Sequence, residues 1–350
     1  MTENSPTVSV TDAAGLIAAV PLLLGFRPTE SLVVLSVRNR RLGPVMRVDL
    51  PPPTDVVPIG SYLVEQSCRH GDAVAVLAFS GSPDARSAVA TVLDLMLVAG
   101  LSVIDALVVD GDTASFLPDP RGRLTPPIGV PNADDPFVTE LAAAAAIAGR
   151  AVLPSRSALA ESIRPPRASN LRRARQQMKA ARLQLGDAAD RQTLIDRSVG
   201  VIDRALDQIA GQRSVGPATA ATLCLVVQDV IVRDLFIAQV VTDRQSGWLP
   251  LLISAVTQVP ADESEDLTVV LASAAYRCGD GALAQVAVDR CLQTRPDHRM
   301  AWLLRELMTA GLPPTALDSL GDLLDEDPDE QLEWFDDDDD LSSDTDTAVG

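Results

Sequence analysis

Apolar residues follow two different spacings along this chain, and the change from one to the other divides it. Leu32 to Val37, Ala73 to Phe79 and Val103 to Val109 are short continuous apolar runs, and the stretches between them, 55–69 and Pro83 to Val98, have helical spacing. Runs of this length between turn residues read as strands covered on both faces. The turn from Arg38 to Gly43 leads to a second strand at Val45 to Leu50 and predicts a hairpin, while Thr113 to Leu117 reads as a short hairpin return. Strand-helix-strand alternation predicts an α/β unit with a mixed, mainly parallel sheet flanked by helices. A helix over 12–19, capped by Thr11 or Asp12, broken at Pro21 and followed by Gly25, precedes the first strand.

Past a loop rich in Pro, Gly and Asp from Pro118 to Pro136, an alanine-rich helix is expected at 137–148, and then strand signals stop. Helical spacing follows at 168–184, 187–211, 217–240, 247–258, 266–278, 281–293, 297–310 and 314–325. Ile163-Arg164-Pro165-Pro166 denies helix continuation. The expected division is an α/β domain over 1–163, an all-α helical domain over 164–325 and an acidic disordered tail over 326–350. The segment from Ala274 to Pro296 resembles a tetratricopeptide unit: Ala284 and Cys291 are small enough for close helix approach, Gly279 permits the turn and Pro296 ends the second helix. A partial second copy surrounds Trp302. A freestanding solenoid needs about three repeats, so this pair is expected to pack on the other helices.

The segment Pro21-Leu22-Leu23-Leu24-Gly25-Phe26-Arg27-Pro28, followed by Ser31-Leu32-Val33-Val34, resembles the opening of a large actinobacterial family, domain of unknown function 4192. Ala148 to Arg156 and the run from Gly279 to Ala284 are also similar to it, so the likeness covers the chain from about residue 10 to 318. The resemblance implies no activity, cofactor or site residue. The opening segment is expected to be structural, with Leu23, Phe26 and Val33 buried.

Charge is unevenly spread. The formal net charge is -19, yet from Asp322 onward there are 14 acidic residues and no basic one. The run Asp336 to Asp340 cannot bury enough apolar surface to offset the entropy of ordering. It reads as a solvated tail or as a ligand for a basic partner. Seven basic residues lie between 164 and 182, with Arg156 an eighth upstream. Of these, Arg172, Arg175, Lys179 and Arg182 fall on one helical face, with Arg173 beside them. Such a stripe is a solvated helix face, a docking site for the acidic tail, or a surface for an anionic partner such as nucleic acid.

No uncharged apolar run reaches the 18 or so residues that span a bilayer, and the first ten residues lack a basic region ahead of an apolar core. Cys68, Cys224, Cys278 and Cys291 are scattered, which reads as reduced thiols in a cytoplasmic protein. The two histidines, His70 and His298, occupy ordinary helix-terminal and turn positions. No catalytic residue, metal site or cofactor motif is expected. The strand ends are the remaining chemistry: Ser80-Gly81-Ser82 and Asp110-Gly111-Asp112 fall where open α/β sheets bind ligands. The same residues also suit plain turns and caps. The expectation is a non-enzymatic regulatory or scaffold protein that holds an unknown protein partner through its helical domain. The alternatives are a small-ligand or nucleotide sensor or enzyme built on Ser80, Gly81, Ser82, Asp110 and Asp112, and nucleic-acid association through the arginine stripe.

Overall fold

The structure is a computed structural model that describes residue 10 and residues 12–118, 122–147, 151–186, 191–212, 214–242 and 247–317. The acidic tail and most of the helix expected at 314–325 lie outside the described residues; only a 3₁₀ turn, Pro314–Leu317, is seen there.

The N-terminal half holds α1 (Ala13–Leu24), β1 (Ser31–Arg38), β2 (Arg41–Asp49), α2 (Val56–His70), β3 (Ala73–Phe79), α3 (Asp84–Val98), β4 (Ser102–Asp110), β5 (Thr113–Phe116), β6 (Ile128–Gly129) and α4 (Pro136–Ile147). The six strands form one sheet in the order β2-β1-β3-β4-β5-β6. The expected hairpin is present, β1 pairing antiparallel with β2, and β5 returns antiparallel to β4. The expectation of a mainly parallel sheet is corrected: β3 and β4 form the one parallel pair among the described strands, because β1 inserts antiparallel between β2 and β3. β2, β3 and β4 still point the same way, so their C-terminal ends share one end of the sheet with the start of β1. The continuous apolar runs arise from two covered faces. Leu32, Val34, Val74 and Val76 pack with Leu63 of α2 and Val92 and Met96 of α3, while Val33, Leu35, Ala75 and Leu77 face the opposite cluster with Ile17, Val20 and Phe26. Each Val, Leu, Ile, Met or Phe side chain so buried contributes about 1.5–3 kcal/mol.

α1 also departs from expectation. It runs through Pro21 and ends at Gly25, whose φ of 74° gives the left-handed cap. Asp12 starts it by accepting a hydrogen bond from the Gly15 amide at 2.8 Å. Pro21 removes one late backbone bond, and the buried Leu24 holds the last turn in place. Of the residues expected in the core, Phe26 is 2% exposed and Val33 fully buried; Leu23 is partly buried. Phe26 forms a parallel bridge to Leu153, with Arg27 N donating to Leu153 O at 2.9 Å and Leu153 N to Gly25 O at 2.8 Å. The opening segment and the stretch around Leu153, far apart in sequence, are thus stitched together.

The C-terminal half holds α5 (Arg156–Ser162), α6 (Ala168–Leu185), α7 (Arg191–Gln212), α8 (Pro217–Val226), α9 (Val230–Thr242), α10 (Trp248–Val256), α11 (Glu265–Arg277), α12 (Gly281–Thr294) and α13 (Arg299–Thr309). α5 and β6 were not foreseen. The helix expected at 217–240 is two helices, because Asp229 caps α9 by accepting from the amides of Ile231 at 3.0 Å and Val232 at 3.2 Å. α11 is buried along nearly its whole length, from Asp266 to Tyr276, and so forms the centre of the helical half. Its turn to α12 uses Gly279 at φ 73° and Asp280, which accepts from Leu283 N at 3.0 Å.

One apolar cluster continues from the sheet through Leu159 and Ile163 into the helices. Polar contacts tie the helical half together and join it to the sheet half. Arg290 of α12 donates to the carbonyl of Ile163 and, at 3.0 Å, to Ser264 Oγ. Burial lowers the Arg290 pKa to about 10. Tyr62 of α2 donates to Thr309 O at 2.9 Å, capping the end of α13. No described helix is long and apolar enough to cross a membrane.

Candidate functional site

The strand register sets the site. Ser31, at the start of β1, lies opposite Asp49 of β2 and Phe79 of β3, and Phe79 lies beside Val109 of β4. Four loops therefore open at one end of the sheet. Ser80 leaves β3 with its amide bonded to Val109 O at 2.9 Å, and its buried hydroxyl donates to Glu30 Oε2 at 2.7 Å while accepting from Ser82 N at 2.9 Å. Ser82 Oγ in turn accepts from Asp84 N at 3.3 Å, at the first turn of α3. Gly81 lies against Asp110: a Cβ there would stand 2.9 Å from Asp110 Oδ1 and would displace that carboxylate. The structure thus brings Ser80, Gly81, Ser82 and Asp110 together, and Asp112 sits on the adjoining turn, where its carbonyl accepts from Val130 N at 2.9 Å.

Two residues absent from the sequence reading complete the arrangement. Glu30 has φ 44°, a left-handed backbone uncommon for a side chain of its kind, and Leu50 N donates to its carbonyl at 2.8 Å. Arg47 lies across the neighbouring strands. It donates through Nε and Nη2 to Ser31 Oγ at 2.9 and 2.7 Å, meets Asp49 Oδ1 at 2.7 Å, and stacks its guanidinium 5.9 Å from the centre of the Phe26 ring. Arg47 is paired with Asp49, while Glu30 brings a carboxylate to Ser80 and Asp110 brings one to Gly81. These last two carboxylates are hydrogen-bond acceptors, and they suit a ligand that donates hydrogen bonds or carries positive charge.

The sequence pattern that defines the domain of unknown function (DUF4192) family matches residues 14–315, taking in the sheet, its strand-end loops and nearly all of the described helices. The chain belongs to this family. No curated protein and no solved structure matches it.

Within the DUF4192 span the arginine stripe is partly occupied. Arg175 pairs with Asp262 at 2.9 Å and Arg182 with Glu263, tying α6 to the 3₁₀ turn Ala261–Glu263; Arg172, Arg173 and Lys179 are exposed. Exposed pairs of this kind contribute about 0–1 kcal/mol. A cleft of about 490 Å³ opens beyond the stripe between α6, α7 and α8, with Gln184, Asp196, Arg197, Arg204 and Thr222 among its lining.

A buried polar cluster among the helices was also unforeseen. Asp266 Oδ1 receives Arg233 Nη1 at 2.9 Å and lies 3.1 Å from His298 Nε2. His298 is 2% exposed, and its Nδ1 accepts from Ala301 N at 3.3 Å, so the ring proton on Nε2 faces the carboxylate while the residue caps α13. Burial works against ionisation of Asp266, but the bonds from His298 and Arg233 outweigh it and hold its carboxyl below the ordinary value. The cluster ties α9, α11 and α13 together. Burial pushes up the thiols of Cys224 and Cys291, the latter to about 12, so neither is a thiolate at neutral pH. Among the described residues, no group of three or more His, Cys, Asp or Glu is placed to hold a metal ion.

Proposed function

We propose that this protein works by binding, and that the strand end formed by Glu30, Ser80, Ser82 and Asp110 is where a small polar ligand, cationic or rich in hydroxyl groups, is held. The observation that carries this is Glu30. A non-glycine residue held at φ 44° costs free energy, and here it delivers a carboxylate onto Ser80 beside Asp110, beyond the C-terminal ends of the parallel pair β3 and β4, the position where parallel α/β sheets place ligands. A plain turn would be served as well by Gly or Asn at this position. The test is a thermal-shift series on the full chain with spermidine, arginine and ribose as probes, repeated on Glu30→Gln and Asp110→Asn. Stabilisation of the natural chain by at least one probe, lost in both variants, supports the site; identical responses in all three proteins reject it.

The helical half fits a second reading, a regulatory or scaffold role through a protein partner in the cytoplasm. Supporting it are exposed apolar side chains on two helices that each pack on α11: Val230, Ile231 and Leu235 of α9, and Trp302 and Leu303 of α13. The pairing of α11 with α12 through the Gly279 turn is in keeping with a tetratricopeptide-like hairpin. Affinity capture with the full chain, compared with a Leu235→Arg, Trp302→Ala variant, separates this reading: a partner lost by that variant and retained by Glu30→Gln supports it, and a partner retained by both variants counts against it.

A further inference from the structure

At the end of the sheet opposite Glu30 and Asp110, the hairpin between β1 and β2 carries Arg38, Arg40 and Arg41 within four residues, all exposed. None of the three has a carboxylate partner among the described residues. The turn is left-handed at both central positions, Asn39 at φ 51° and Arg40 at φ 62°. Hairpins of this kind favour Asn followed by Gly, so an arginine in the second position accepts backbone strain in exchange for a charge held at the tip. Arg38 Nη2 donates to Arg69 O at 2.9 Å, and Arg69 Nη1 reaches Ala310 O at 3.3 Å. The basic patch therefore continues from the hairpin over the end of α2 to the loop after α13. Carboxylates border the patch at Glu65, which is paired with Arg69 at 2.5 Å, and at Asp72, whose amide bonds Val37 O at 3.0 Å.

That loop is where the chain departs toward its acidic segment. Gly311, at φ 64°, turns it, and the buried Leu317 anchors the last described turn. Asp322 is five residue steps from Leu317, a reach of about 17 Å at most, and the run Asp336 to Asp340 is within about 80 Å. The patch has apolar neighbours too. Leu42 and Leu312 are about 40% exposed, and the glycines beside them, Gly43 and Gly311, both approach His70. The acidic segment carries Leu332, Trp334 and Phe335 among its carboxylates. Its charge and its aromatic residues both match what the patch offers.

We propose that Arg38, Arg40, Arg41 and Arg69 form a docking surface for an acidic, aromatic-bearing peptide, and that its resident occupant is the chain's own segment 322–340. Tethering gives that segment an effective concentration in about the millimolar range, so weak contacts hold it and added salt releases it. The exposed stripe residues Arg172, Arg173 and Lys179 are the competing basic surface.

The test uses three full-length variants and a fluorescein-labelled peptide of residues 322–342, with binding read by anisotropy. In the first variant the 14 carboxylates from Asp322 onward are changed to amides. The second adds Arg40→Gly and Arg41→Gln; glycine suits the left-handed position, so this variant keeps its fold. The third adds instead Arg172→Gln, Arg173→Gln and Lys179→Gln. The amide-tail chain should bind the peptide about ten-fold or more tightly than the natural chain at low salt, because its own competitor is gone. The second variant should lose that gain and the third should keep it. Equal binding by the natural and amide-tail chains overturns the proposal. Binding that survives in the second variant, or that is lost in the third, overturns the hairpin as its location.

Discussion

Replacing Phe26 by Ala examines the joint between the opening segment and the candidate site. The ring is 2% exposed, packs in the cluster shared by the sheet and α1, and supports the Arg47 guanidinium 5.9 Å from its centre. Truncating a buried Phe to Ala costs about 3–5 kcal/mol, from lost transfer energy and from the cavity left behind. The cation over the ring adds about 0.5–1 kcal/mol that a leucine cannot recover. Phe26→Leu retains most of the apolar volume and should cost less than about 1.5 kcal/mol by packing, plus that cation contribution. Urea denaturation of the three full-length proteins measures both, provided the slopes agree. The two substitutions should separate by at least about 1.5 kcal/mol. A Phe26→Ala cost below about 1 kcal/mol, or equal costs for Ala and Leu, would refute the assignment of Phe26 as a core anchor.

Asp266→Asn removes one of the two carboxylates that hold Arg233, the other being Asp234 at 2.9 Å, and should cost about 1–3 kcal/mol. Because the folded carboxyl lies below its ordinary value, its contribution is complete above about pH 4 and is lost as pH falls through the folded value. The stability gap between wild type and Asp266→Asn, followed by denaturation from pH 6 to pH 2, should therefore shrink with acid; a widening gap contradicts the network. Asp229→Ala removes the cap of α9 and should cost about 0.5–2 kcal/mol in a urea titration, whereas no change would mean that the break between α8 and α9 does not rely on it. Arg40→Gly should leave the protein as stable as before or more stable by about 1 kcal/mol in thermal unfolding, since it relieves φ 62°; clear destabilisation would show that the arginine holds the turn.

Much of the fold is legible where one local rule decides the outcome. The apolar runs mark β1, β3 and β4, Gly25 marks the end of α1, and Gly279 marks the turn between α11 and α12, because strand burial and left-handed caps are properties of a few consecutive residues. The two hairpins were legible, but the antiparallel pairing of β1 with β3 was not. β1 is apolar on both faces because α2, α3 and α1 cover the sheet, and the pattern does not record which neighbour runs which way. Pro21 argued for a break that packing of Leu24 overrides, and Asp229 inserts a break where the apolar spacing runs on. At the candidate site, Ser80 to Ser82 and Asp110 were legible from their place after strands. Glu30 and Arg47 were not, since their roles depend on Ser80 and Ser31, which only the sheet register brings to them. The Asp266, Arg233 and His298 cluster is formed by three helices and leaves no local signature.

The most direct measurement for the strand-end site is native mass spectrometry of the full-length chain purified from its own cells. It is compared with Glu30→Gln, Asp110→Asn and with Arg172→Gln, Arg173→Gln, Lys179→Gln, each prepared in the same way. The account predicts a retained small molecule on the natural chain and on the stripe variant, and bare chain for the Glu30→Gln, Asp110→Asn protein. The same retained mass on all three, or a mass lost only from the stripe variant, would contradict it.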